Sequence, residues 1–83
     1  MDTELAQALS HPIRLEILAA LTDRVASPVE LSAEIGERPG VVSYHANTLV
    51  RCGCLELVDS KPKRGGIENF FAITPRCFLN WLD

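Results

Sequence analysis

A chain of 83 residues with 47% hydrophobic and 23% charged side chains is too apolar to stay disordered and too short for two cores, so one domain over 1–83 is expected. No apolar stretch approaches the roughly 18 residues that a membrane span requires. The net charge of −3 taken whole argues against a nucleic-acid partner. Its distribution reverses that reading. Residues 1–37 hold seven acids against Arg14 and Arg24, whereas residues 38–76 hold Arg38, Arg51, Lys61, Lys63, Arg64 and Arg76 against Glu56, Asp59 and Glu68. Any polyanion should meet the second half. The opening Met1-Asp2-Thr3-Glu4 carries acid where a secretory signal carries base, so the expected location is the cytoplasm.

In chain order, a first short helix is predicted from Asp2 or Thr3, with Glu4 complementing the amino-terminal dipole and Leu5 and Leu9 one turn apart. Ser10-His11 breaks it, His11 acting as a cap or turn residue. Pro12 opens a second helix running to about Leu21, with Ile13, Ile17, Leu18 and Leu21 as its apolar stripe. Ser27-Pro28-Val29-Glu30 reads as a capping box with proline at the first helical position. The third helix turns Leu31 and Ile35 inward, leaves Val29 outward or at the rim, and ends on Gly36. Pro39 opens a fourth helix that ends at Gly53. Two helices joined by a short break containing glycine are the outline of a helix-turn-helix.

After Gly53 the periodicity changes from helical to alternating. Cys54 to Asp59 and Ile67 to Ile73 read as two strands about a flexible basic tip, Ser60-Lys61-Pro62-Lys63-Arg64-Gly65-Gly66. Thr74-Pro75 repeats the cap-then-proline signal and starts a last helix. The expected fold class is mainly α with a small antiparallel β-hairpin, a winged helix-turn-helix in the order α-α-α-α-β-β-α.

The fourth helix carries the chemistry. Val42, Ala46 and Leu49 fall on one side, and Gly40, Ser43, Tyr44 and Asn47 on the other. That second stripe holds a backbone-revealing residue, a hydroxyl, a phenol and a carboxamide, and no carboxylate. Asn pairs bidentately with adenine, and Ser and Tyr reach bases or phosphates. A merely solvated face would be rich in Glu and Lys. Lys61, Lys63 and Arg64 place three positive charges on the hairpin tip, suited to phosphates or a narrow minor groove, and Gly65-Gly66 allow close backbone approach. The alternative for this tip is a solubilising loop that prevents edge pairing.

Three runs carry a family resemblance: Ala8-Leu9-Ser10-His11-Pro12-Ile13-Arg14-Leu15-Glu16-Ile17-Leu18, Val42-Ser43-Tyr44-His45, and Arg64-Gly65-Gly66-Ile67-Glu68-Asn69-Phe70-Phe71-Ala72-Ile73-Thr74. Together they resemble the ArsR-type winged-helix transcriptional regulators over roughly residues 5–74. The resemblance implies a sequence-specific regulator of double-stranded DNA, a repressor acting as a homodimer in a prokaryotic cytoplasm. The expected recognition-helix contacts are Arg38, Pro39, Gly40, Ser43, Tyr44, His45, Asn47 and Thr48. The wing and its flank supply Arg51, Lys61, Lys63, Arg64 and Gly65. The family pattern puts His45 at the DNA-facing helix, while its place between the two stripes also suits a half-buried imidazole.

Cys52, Cys54 and Cys77 are an odd number in a reducing compartment, so no disulfide framework is expected. Several ArsR-type regulators sense metals through a cysteine pair in the third helix. Here that helix reads Glu30-Leu31-Ser32-Ala33-Glu34-Ile35, and Cys52-Gly53-Cys54 has a one-residue gap, unlike common zinc sites. No cofactor or metal is expected, and a thiol- or metal-responsive regulator is kept as an alternative. The terminal segments 1–10 and 75–83, through Leu5, Leu9, Phe78, Trp81 and Leu82, are the expected dimer seam, because exposed aromatic patches mark interfaces. An enzyme is disfavoured by the lack of a phosphate loop and of room for a large pocket. A winged-helix module for protein partners is the remaining alternative.

Overall fold

The computed structural model describes residues 3–77, without the side chains of Glu4 and Leu5. Four helices precede one hairpin: α1 (Thr3–Ala8), α2 (Pro12–Ala20), α3 (Pro28–Ile35), α4 (Pro39–Arg51), β1 (Leu55–Lys63) and β2 (Gly66–Ile73). Local chemistry sets each boundary. His11 caps α2, its Nδ1 accepting the Ile13 N–H at 3.3 Å, and Pro12 follows at the first helical position. Ser27 and Glu30 close the full capping box on α3, and Gly36 ends that helix in the left-handed conformation with φ 80°. Only the residues Glu37 and Arg38 then separate this cap from α4. Gly53, at φ 78°, reverses the chain out of α4 into the hairpin.

The core lies where α2, α3 and α4 converge over the base of the hairpin. Ile17, Leu18 and Leu21 meet Leu31, Val42, Ala46 and Leu49, and Leu55 and Phe71 close the bottom. Each fully buried aliphatic side chain contributes roughly 1.5–3 kcal/mol of transfer free energy. The hairpin is tied to the helices through its own backbone. Ala26, just before α3, exchanges hydrogen bonds with Phe71 in an antiparallel bridge, at 2.9 and 3.2 Å. Next to it the Ser27 hydroxyl donates to Glu68 Oε2 at 2.5 Å. Thr74 returns the chain to the end of α4, its N–H reaching the Cys54 carbonyl and its hydroxyl the Gly53 carbonyl.

The wing departs from the sequence expectation in its length. Its strands run to Lys63 and from Gly66, and only Arg64 and Gly65 form the turn, with Gly65 at φ 85°. Most of the expected flexible tip is therefore paired strand, in the register Ser60 to Asn69, Lys61 to Glu68, Pro62 to Ile67 and Lys63 to Gly66. Proline is tolerated because both strands of a two-stranded sheet are edges. A bulge between Leu57 and Asp59 skips Val58, and past Leu55 the whole of β1 is exposed. The alternation of β1 thus marks a projecting ribbon rather than a strand lying on a core.

Ser27 is wholly buried and serves two partners, accepting the Glu30 N–H and donating to Glu68. Ser27→Ala removes the cap and leaves the Glu68 carboxylate without its donor. The expected cost is about 1–3 kcal/mol in urea unfolding with an unchanged slope. A loss below roughly 0.5 kcal/mol, within the range of ordinary surface substitutions, would show that the hydroxyl bears little on the fold.

Candidate nucleic-acid interface

The amphipathic division of α4 organises the surface. Val42, Ala46 and Leu49 are fully buried, so the opposite stripe must face outward: Gly40, Tyr44 and Asn47 are exposed and Ser43 half-exposed. Tyr44 retains 61% of its accessible surface. The start of this helix differs from that of α3. Its N-cap, Arg38, makes no side-chain cap bond, and its first turn carries no acid. An uncapped helix start beside arginine favours an anion such as a phosphate. A Cβ added to Gly40 would meet nothing within 4 Å, so the glycine relieves no contact inside the domain and leaves its backbone open to an outside partner.

The wing comes alongside. A cleft of about 270 Å³ runs between the start of α4, at Pro39, Gly40 and Ser43, and the ribbon, at Lys63, Ile67, Glu68 and Asn69, with Pro28 and Val29 of α3 also lining it. Lys63 thus shares a cleft with the recognition stripe. Arg64 and Gly65 are exposed at the turn. Lys61 is exposed as well, but its ammonium lies over the Phe70 ring, 5.1 Å from the centroid, so that contact shares its charge. Arg51 sits at the far end of α4 and donates to the Thr48 hydroxyl at 3.1 Å.

Two expected contacts are turned inward. Thr48 is 6% exposed, and its hydroxyl donates to the Tyr44 carbonyl while accepting from Arg51. His45 is also 6% exposed. Its Nδ1 accepts from Arg14 Nε at 3.2 Å, and its ring lies 4.4 Å from that of His11. The helical spacing explains both, since positions 45 and 48 flank the buried stripe of 42, 46 and 49. Of the expected dimer seam, Leu9 is half-buried against its own core; the Leu5 side chain and Phe78, Trp81 and Leu82 lie outside the described residues.

Arg14 was missed as a site residue because it counted only as a charge in the acidic half. The signal was present: Arg14 precedes Ile17, Leu18 and Leu21 at i+3, i+4 and i+7, and therefore shares the inward stripe of α2. Its Nη1 also donates to the Gln7 carbonyl at 2.8 Å, joining the end of α1 to α4. Ile67 and Asn69 were likewise read only as strand residues, and the cleft could not be foreseen without the ribbon's direction.

The acids of the first half are partly occupied within the domain. Arg24 holds Glu34 through two hydrogen bonds of 2.9 and 2.5 Å, which lower the carboxyl's proton affinity and raise that of the guanidinium. Glu30 bonds the Ser27 N–H in the capping box. Among the described residues no three His, Cys, Asp or Glu side chains gather where they could hold a metal ion. Cys52, Cys54 and Cys77 are buried in the core. No helix among the described residues is long and apolar enough to cross a membrane.

A short-turn helix pair with a basic hairpin beside its second helix defines a winged helix-turn-helix protein. The helix-turn-helix domain family matches residues 9–58, and the chain belongs to that family. No curated protein matches the sequence. Solved structures share the fold. The cadmium metal-sensor CMTR of Mycobacterium tuberculosis is 27% identical, with a TM-score of 0.68 over 96% of this chain and 79% of that one. The transcriptional repressor BigR of Xylella fastidiosa is 25% identical, with a TM-score of 0.72 over 95% and 76%. The homodimeric winged helix-turn-helix DNA-binding domain of Mb0332 from Mycobacterium bovis, a possible ArsR-family regulator, is 16% identical, with a TM-score of 0.77 over 95% and 69%.

His45 makes the domain sensitive to acid. Burial first, then the positive fields of His11 and Arg14, hold its imidazole below the ordinary value of 6.5, and Glu37 offsets part of this. The unfolded chain therefore takes up this proton before the folded one. The stability tied to the neutral ring is complete above about pH 6.5 and is lost as pH falls through the lowered native value. Urea midpoints on either side of that value should fall with acid, and His45→Asn should reduce the fall; equal slopes for the two proteins would contradict the assignment.

Proposed function

We propose that this protein is a sequence-specific DNA-binding transcriptional regulator, a repressor of the ArsR type. In this reading α4 enters the major groove and the wing follows the backbone. The observation that carries it is the carboxylate-free stripe of Gly40, Ser43, Tyr44 and Asn47, exposed beside an uncapped helix start and sharing a cleft with Lys63. Asn47 reads a base edge, Ser43 and Tyr44 contact bases or phosphates, and Arg38, Lys63 and Arg64 take phosphates. His45 and Thr48 support the helix from within instead of touching DNA. Arg51 and Lys61 act at the margins, each already engaged by a neighbour.

The regulator acts as a homodimer in the cytoplasm. The homodimeric state of the Mb0332 domain supports this, as does the apolar character of the segment 75–83 in the sequence. A small domain gains core by pairing. Its role is recognition rather than catalysis, in keeping with the transcriptional repressor among the structures that share its fold. A local potential within a Debye length of about 8 Å governs contact with the duplex, so acids on the far side are screened.

The roles are separable by salt and sequence. Lys63→Ala or Arg64→Ala should weaken all duplexes alike and lower the salt slope by about one unit per lost phosphate contact. Asn47→Ala should cost roughly 1–3 kcal/mol on the preferred site only. Affinity that ignores salt would instead favour a protein partner.

Two symmetric recognition helices should protect two half-sites about one turn apart, ~34–36 Å, or a multiple of it. Footprinting on a duplex recovered from a random pool checks this spacing. A single asymmetric protected patch with one subunit bound would overturn the dimer.

A further inference from the structure

The cluster of Arg14, His11 and His45 lies on the inner flank of α4, next to Tyr44 of the exposed stripe. It joins three elements. Arg14 Nε donates to His45 Nδ1 at 3.2 Å, and Arg14 Nη1 donates to the Gln7 carbonyl at 2.8 Å. The His11 and His45 rings lie 4.4 Å apart at 41°. Resting on the reading of α4 as the DNA-reading helix, we propose that Arg14 and His45 are positioning residues that hold α4 only while the His45 imidazole is neutral, so that acid releases both helix and DNA.

The bond itself sets this condition. Arg14 is a donor that does not deprotonate in proteins, so His45 Nδ1 must be bare to accept from it. That fixes the proton of the neutral ring on Nε2. A second proton on Nδ1 would set donor against donor and cation against cation at hydrogen-bond distance. Arg14 is braced by the Gln7 carbonyl, so it cannot swing aside without losing that bond as well. The imidazole is the group that yields.

The surroundings make a charged ring costly. From α2 and its cap, His45 faces Arg14 and His11; from the connection before α4 it feels Glu37; on its own helix Tyr44 meets it edge-on, with centroids 5.1 Å apart. Glu37 is the one group of this set that favours the imidazolium, against Arg14 on α2 and its cap His11, which oppose it. With 6% exposure, water offers little compensation.

The consequence reaches the reading face because His45 lies between Tyr44, which is exposed on that face, and Ala46, which is buried in the core. A displaced ring cannot keep both neighbours in place. A merely structural histidine would affect stability alone; a positioning one makes DNA affinity follow its protonation.

The test uses the full chain and a duplex that it recovers from a random-sequence pool at about pH 7.5, with affinities measured there and at about pH 5.5 at fixed ionic strength. Wild-type affinity is expected to fall by about fivefold or more in acid, the lower end of usual coupling between a site and its effector. His45→Asn puts an oxygen acceptor where Nδ1 stood and cannot take the proton. It should bind near wild-type strength at both values. His11→Asn keeps an acceptor cap and removes one repelling ring, so it should raise the pH at which half the affinity is lost. Should His45→Asn fail to fold, this second variant and the wild-type histidine NMR titration decide the matter: the α4 amide signals must move with the His45 ring.

Wild-type affinity that is unchanged or stronger in acid, or the same loss in His45→Asn, overturns the positioning role. Recovery of no duplex overturns the DNA reading separately, and the α4 amides then judge the contact alone: signals that stay fixed while His45 titrates overturn it too.

Discussion

Everything on the reading surface depends on how α4 is held. Its buried stripe of Val42, Ala46 and Leu49 packs against α2, α3 and the base of the hairpin, while Gly40, Tyr44 and Asn47 on its other side are exposed. A helix fixed along one line can still roll about that line. One contact that resists rolling is lateral: Arg14 reaching across from α2 to His45 on the flank. Apolar burial supplies most of the stabilisation but little directional information. A hydrogen bond of defined geometry to a partly buried guanidinium supplies the direction.

The same division explains how a chain of net charge −3 presents a surface suited to a polyanion. Seven of the eleven acids precede α4, and some of these have work inside the fold: Glu34 with Arg24, Glu30 with the Ser27 N–H. The wing carries Glu56, Asp59 and Glu68, and of these Glu68 accepts the Ser27 hydroxyl. Glu68 still lines the cleft that Lys63 shares, but its carboxylate bonds the Ser27 hydroxyl rather than a wing cation. This bond adds to the Ala26–Phe71 bridge in anchoring the hairpin and places the Glu68 charge.

Helix boundaries were legible because they rest on residues whose chemistry acts locally. Ser27 with Glu30, proline at the opening of α2, α3 and α4, and Gly36 all act within four residues of their own position. The inward and outward stripes of α4 were legible for the same reason, since helical periodicity alone places 42, 46 and 49 opposite 40, 44 and 47. The flank positions were not. His45 and Thr48 sit at angles where periodicity does not choose between core and solvent, and the neighbouring elements decide. Arg14 was hidden by its type: a charged residue on an apolar stripe reads as surface until a buried acceptor is known. The wing failed differently. Glycine, proline and lysine look like a loop, yet a two-stranded ribbon has two free edges and accommodates all three.

Two non-local side-chain bonds, Arg14 to His45 and Ser27 to Glu68, span 31 and 41 residues, and each adjusts one half of the reading surface against the same three-helix body. Arg14 sets the recognition helix, and Ser27 sets the ribbon. The width of the cleft between Gly40 and Lys63 is then the difference between two independently anchored positions, not a contact in its own right. Side chains from both anchored elements line the cleft, Ser43 of α4 and Lys63 and Asn69 of the ribbon. Loosening either anchor changes the spacing between groove-reading and backbone-following elements. Recognition of a duplex depends on that spacing more than on any single contact, because base contacts specify only when phosphate contacts have already fixed the register.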